Sequence, residues 1–262
     1  LGTSGPEAIA FDHRGNLLVA DTGNDRVLVV SPGGGLVREF GGYGWTDGRF
    51  DSPSDVCVFE GFFIYVLDEG NRRVHRYDLF GNFIDLLIEE GEAGSPVSMA
   101  VGQAGGLLLV DSDSQSVRSY SQFDEALEPV GQFGLGEGGL LSPTDVAVGP
   151  SREIAVADPG RSAVLVFDEF GTPLYTLAAP DTILPVDVVI GRRGDVFVAD
   201  HRHRRVLLFD RSGRLRHSLS TGFRPMALAL TGSGELAVLD DGGGAVHIFG
   251  ITYASQTPEK RR

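Results

Sequence analysis

The stretch "VADTGNDRVLVV", Val19–Val30, decides the fold. Two apolar runs flank a polar turn carrying Asp21, Asn24, Asp25 and Arg26. By itself this reads equally as a charged site on a loop or as a structural turn. Its recurrence separates the two readings. It returns as "VLDEGNRRVHRY" from Val66, "LVDSDSQSVRSY" from Leu109, "VADPGRSAVLVF" from Val156, "VADHRHRRVLLF" from Val198 and "VLDDGGGAVHIF" from Val238. The aspartates are Asp21, Asp68, Asp111, Asp158, Asp200 and Asp240, spaced by 47, 43, 47, 42 and 40 residues. The same spacings separate the valines six positions on, Val27, Val74, Val117, Val164, Val206 and Val246. They also separate the upstream prolines Pro6, Pro53, Pro96, Pro143, Pro185 and Pro225. Three markers in one register define six repeats.

Each repeat reads as four short, turn-bounded apolar runs rich in β-branched residues, the fourth more polar than the others. Runs of this length and composition are strands. Four antiparallel strands per unit, at this period, predict an all-β chain folded as a six-bladed β-propeller over residues 1–250, with 251–262 as a C-terminal tail. The last repeat shows no clear fourth-strand run after Phe249. The expectation is a sixth blade completed by the tail, by chain upstream or by a partner.

Bulk properties narrow the function. The net charge of −14 disfavours general nucleic-acid binding, because a polyanion repels phosphate backbones. No apolar run of about 18 residues predicts a membrane-spanning helix. The chain opens at Leu1 rather than Met, which leaves room upstream for a signal peptide or lipid anchor. Cys57 is the lone cysteine and makes no disulfide framework. Its counterparts four residues after each proline are Ala10, Ala100, Ala147, Val189 and Ala229, so Cys57 is expected buried in a first strand, as core rather than nucleophile.

An aspartate present in all six units is not a unique catalyst. It is expected to accept backbone N–H groups of the turn that follows. Arg26, Arg73 and Arg205 precede the repeated valine in half the units and are expected to pack between blades, stem buried and head hydrated. Two positions after each proline stand Ala8, Asp55, Ser98, Asp145, Asp187 and Ala227. First strands line the channel of a propeller, so Asp55, Asp145 and Asp187 are expected to converge near one mouth. An oxygen-only cluster of that kind suits Ca²⁺ or Mg²⁺; the alternative is three carboxylates bonded to neighbouring backbone. The glycine-rich stretches "GGYGWTDGRF" and "GLGEGGLL" lead into strands rather than helices, so they are blade connections and not phosphate loops. The six histidines do not share one repeat position, which gives no zinc site.

"PTDVAV…EIAVADPGRSAVLVFD" and "FGGYGWTDGRFDSPSDV" resemble NHL-repeat propellers in three features: the proline-led Val–Ala–Val opening, the "VADTGNxRV" core and the "FGxxG…GxFxxP" linker. The resemblance runs from about residue 5 to residue 250. It implies a six-bladed propeller from a family that includes scaffolds, RNA binders, ligase modules and a few enzymes. Peptide-amidating lyases of similar fold need converging histidines. Lactonases of related propellers carry a Glu–Gly–Pro opening where this chain has "SGPEA", with Ser4 in place of the ligand.

The functional expectation is therefore a non-enzymatic scaffold that binds a macromolecular partner, a protein, within a larger assembly. Its face is the one carrying the second-to-third-strand turns and the blade connections. Tyr43, Trp45, His201, Arg202, His203 and Arg204 are the candidate binding residues there. The alternative is a metal-dependent hydrolase or lyase at the channel mouth around Asp55, Asp145 and Asp187. RNA binding through "HRHRR" is the weaker third class. No cofactor is expected beyond that cation, and a periplasmic or extracellular bacterial setting is the expected location.

Overall fold

A computed structural model describes residues 2–59, 61–89, 94–102, 105–121, 126–130, 136 and 138–251. The chain forms six sheets in succession around a ring. Blade 1 consists of Ala8–Phe11, Leu17–Asp21, Arg26–Val30 and Leu36–Gly41, hydrogen-bonded in that order. Blades 2 to 5 repeat this four-stranded antiparallel meander. The sixth has three strands among the described residues, Pro225–Leu230, Glu235–Asp240 and Val246–Gly250. Residues 252–262, most of the expected tail, lie outside the described residues. The first strands contact one another in a closed cycle, from blade 1 through blade 6 and back to blade 1.

Side-chain alternation explains how the ring packs. The second strand of blade 5 is Val196–Asp200. Val196 and Val198 join a cluster with Val164, Val166 and Leu177 of blade 4. Phe197 and Ala199 join one with Leu228, Leu236 and Val238 of blade 6. A strand buried on both faces needs a continuous apolar run, which is why the second strands end in runs such as "LLVAD", "IYVLD", "LLLVD", "IAVAD", "VFVAD" and "LAVLD". Apolar clusters of this kind fill all six junctions between blades. Fourth strands lie outermost, and that of blade 5, Leu215–Ser220, is exposed along most of its length.

The markers found in the sequence meet in space. In blades 2, 3, 5 and 6 the repeat proline pairs directly with the repeat aspartate: Pro53 with Asp68, Pro96 with Asp111, Pro185 with Asp200, Pro225 with Asp240. A register shift follows each of these pairs. Such a bulge re-aims the next residues, here the position two after the proline, without ending the strand.

Candidate functional site

The repeat aspartate locks the end of each blade. Asp21, Asp68, Asp111, Asp158 and Asp200 are fully buried. One carboxylate oxygen takes a backbone N–H from the segment entering the same blade: Ser4 to Asp21 at 2.7 Å, Asp51 to Asp68 at 2.7 Å, Leu184 to Asp200 at 3.1 Å. The turn that follows is also bonded, as expected: Arg161 N–H donates to Asp158 at 3.2 Å and Gly242 N–H to Asp240 at 2.9 Å. The arginine heads have a carboxylate partner that the sequence reading did not assign, and only Arg73 is buried; Arg26 and Arg205 keep part of their surface exposed. Arg26, Arg73 and Arg205 each direct Nε to the repeat aspartate, at 2.7, 2.9 and 2.8 Å. An uncompensated buried carboxylate is costly, and a guanidinium five residues along the hairpin compensates it.

In blade 2 that arrangement holds the candidate aromatic loop. Arg73 also donates to the carbonyls of Trp45 at 2.8 Å, Arg49 at 2.9 Å and Thr46 at 3.3 Å. Asn71 Nδ2 donates to the Gly44 carbonyl at 3.1 Å. Phe50, fully buried, anchors the loop from below. Gly41 is required there: at φ 105° a Cβ would stand 2.4 Å from the Phe50 ring. Tyr43 and Trp45 emerge 60% and 67% exposed, in an edge-to-face pair with centroids 5.3 Å apart.

The basic candidates form the second-to-third-strand turn of blade 5, on the same side of the disc as the aromatic loop. They do not form one patch with it, because blades 2 and 5 stand three positions apart in a ring of six. Nor is the charge all free. His201 Nε2 lies 3.0 Å from Asp241 and His203 Nδ1 2.9 Å from Asp200. Arg202 and Arg204 are exposed, and Arg204 takes the left-handed conformation at φ 52°.

Asp55, Asp145 and Asp187 do face the channel, a space of about 290 Å³ walled by the first strands. Each nevertheless reaches the next blade's backbone: Met99 N–H donates to Asp55 at 2.7 Å, Val188 N–H to Asp145 at 2.7 Å and Leu228 N–H to Asp187 at 3.1 Å. Ser98 Oγ donates to Asp145 at 2.5 Å. Ser98 stands at the same repeat position, so the register alone marked it; its bridging task required the ring. Burial raises the Asp55 carboxyl to about 6 against its backbone donors. Burial, then the Asp55 charge, raises Asp145 to about 7. Asp187 rises too, from burial and the charges of Asp145 and Asp55. Among the described residues, no three His, Cys, Asp or Glu side chains are grouped to hold a metal ion.

Cys57 corrects the sequence reading. It is half-buried on the channel wall, packed against the blade 2–3 cluster, rather than enclosed. A first strand has one edge toward the axis, so small residues there face space as well as core. Burial and the Asp55 charge hold its thiol well above the ordinary range.

The comparisons with known proteins agree with this geometry. No family model matches the chain. Human NHL-repeat-containing protein 4 is 32% identical over 111 residues, which is 39% of this chain and 89% of that protein. The human E3 ubiquitin-protein ligase NHLRC1 is 26% identical over 103 residues, 39% of this chain, and the match spans 26% of the ligase. Among solved structures, a gluconolactonase from Xanthomonas campestris superposes with a TM-score of 0.73 at 17% identity, covering 94% of this chain and 86% of that one, a likeness of fold. The six repeats, the six-bladed ring and these matches together place the chain in the NHL-repeat family.

Proposed function

We propose that the chain is a protein-interaction module that docks its partner on the Tyr43–Trp45 loop. One observation carries this: two aromatic side chains stand exposed on a loop whose backbone is pinned by Arg73, Asn71 and Phe50. Large aromatics supply contact area, and a rigid loop loses little conformational entropy on binding. The E3 ubiquitin-protein ligase and the NHL-repeat-containing relatives support an interaction role in general terms. Arg202 and Arg204, across the ring, would steer an acidic partner by long-range attraction and add little at close range. The hydrolase or lyase alternative rests on the three channel aspartates. Their engagement with separate backbone amides supports a structural task for them instead, and so weighs for the scaffold. A periplasmic or extracellular setting in a bacterium belongs to the proposal, and cell fractionation tests it.

The experiment is affinity capture from the native source, with the partner then titrated against purified wild type and Trp45→Ala. Loss of affinity in the variant supports the loop as the docking site. Equal affinity places the partner elsewhere on the disc.

A further inference from the structure

The face opposite Tyr43 and Trp45 carries a second feature, built by the turns joining first to second strands. We propose that it binds a small organic anion with an apolar body: a carboxylate or phosphate ester on a hydrocarbon or aromatic frame. Turns from blades 1, 2, 5 and 6 surround a cavity of about 1120 Å³. Its walls are apolar where the first strands end, at Phe11, Val58, Ile190 and Leu230. Its rim carries Arg14, Arg192 and Arg193. Small-molecule sites are commonly made this way, from apolar walls with a few charged groups at the rim.

The charge on this rim runs against the chain as a whole, which carries −14. Two acidic residues also line the cavity, Asp12 and Glu235, and both are engaged locally. Asp12 Oδ1 accepts the N–H groups of Arg14 and Asn16, each at 2.8 Å, and Oδ2 accepts Asn16 Nδ2 at 2.7 Å. Glu235 accepts the Ser233 hydroxyl at 3.1 Å. The Arg14 guanidinium lies 6.0 Å from the exposed Phe80 ring centroid, within cation–π reach. The arginines stand on closed turns. Gly15 N–H donates to the Asp12 carbonyl at 3.0 Å, and Gly194 N–H to the Gly191 carbonyl at 2.8 Å. Both turns carry a glycine at positive φ, 78° and 79°. Their stems therefore leave from fixed points on two blades. Planar guanidinium groups so placed bind carboxylate or phosphate oxygens in pairs, while the apolar walls take the rest of the molecule.

The test is a fluorescence titration of the full chain with 8-anilinonaphthalene-1-sulfonate, an aromatic anion whose emission rises in apolar sites. The expected result is a saturable rise, reversed by decanoate or decyl phosphate and not by decanol. The stronger of the two competitors identifies the headgroup. Combining Arg14→Gln with Arg192→Gln should weaken binding at least tenfold; both side chains are exposed, so the variant should fold as the wild type, which circular dichroism checks. Trp45→Ala, on the other face, should leave the titration unchanged. The inference is overturned by the lack of a saturable rise, by a double variant that binds like the wild type, or by decanol competing as well as decanoate.

Discussion

Asp145 on blade 4 accepts the backbone N–H of Val188 on blade 5 at 2.7 Å, and with it the propeller is stitched from inside its channel. Asp55 makes the same bond to Met99, and Asp187 to Leu228. The junctions from blade 2 through blade 6 thus carry a side-chain link at this repeat position, with Ser98 to Asp145 supplying the one between blades 3 and 4. At the two remaining junctions the position is Ala8 or Ala227, which have no group to donate or accept. The apolar cluster of Ile9, Val19 and Leu28 with Ala229, Ala237 and Leu239 joins blade 1 to blade 6.

These carboxylates make stability depend on pH. Asp55 and Asp145 titrate near 6 and 7 in the fold, against an ordinary value of 3.8. A carboxyl whose pKa rises on folding favours the fold in its protonated form. Its contribution is full below the ordinary value and is lost as pH climbs through 6 to 7. The melting temperature should therefore fall between about pH 4 and pH 7 and level off above that. The loss should be roughly 1–2 kcal/mol per group, allowing for solvent access from the channel. Asp145→Asn keeps an acceptor for Val188 and should flatten the upper part of that profile. A profile as steep as the wild type's would show that Asp145 is not its source.

The blade-end aspartates are not equivalent. Asp68 is fully buried beneath Arg73 and His75, whereas Asp240 is partly exposed and accepts the Gly242 N–H. Asp68→Ala leaves the buried Arg73 guanidinium, with His75 and Asn71, without its carboxylate partner and should cost roughly 3–5 kcal/mol. Asp240→Ala should cost about 1 kcal/mol or less. Chemical denaturation of the two variants gives the comparison. Burial raises the Asp68 carboxyl, but hydrogen bonds from His75, Asn71, the Asp51 amide and Arg73 outweigh it and leave it below its ordinary value. Its contribution is present above the usual carboxylate range and is lost as pH falls through the lowered value, the reverse of the channel aspartates.

Trp45 is expected to matter for binding and not for stability. Its side chain is 67% exposed while its carbonyl carries the Arg73 contact. Trp45→Ala should weaken partner binding by roughly 2 kcal/mol or more and leave the unfolding midpoint within about 0.5 kcal/mol of wild type. Arg202→Ala with Arg204→Ala should slow association and reduce its salt dependence, with little change in dissociation. Surface plasmon resonance at two salt concentrations separates these effects.

Cys57 should react slowly despite lining the channel. A thiol held above its ordinary pKa carries little thiolate at neutral pH. Labelling by iodoacetamide at pH 7 should lag a free thiol, and Asp55→Asn should speed it by removing a neighbouring negative charge. Cys57→Ala should cost no more than about 1 kcal/mol, since alanine holds the same position in four other blades. Labelling as fast as a free thiol would contradict the assigned environment.

The sequence by itself determined the architecture. Repeated Asp, Val and Pro in one register fixed six units, and the apolar runs fixed their strands, because hairpin pairing and alternation are local properties of the chain. The αL residue four after the repeat aspartate also keeps its place, as Asp25, Arg72, Gln115, Ser162, Arg204 and Gly244, but no shared residue type marks it and only the structure shows it. The tertiary structure decided what depends on neighbours across a junction. It turned Asp55, Asp145 and Asp187 toward the next blade's amides, gave Arg73 to Asp68 and the Trp45 carbonyl, and opened Cys57 to the channel. It also brought Arg14 and Arg192, from the first and fifth blades, to the rim of one cavity. No local pattern records that meeting, because ring closure joins residues that the chain separates by four of the six blades.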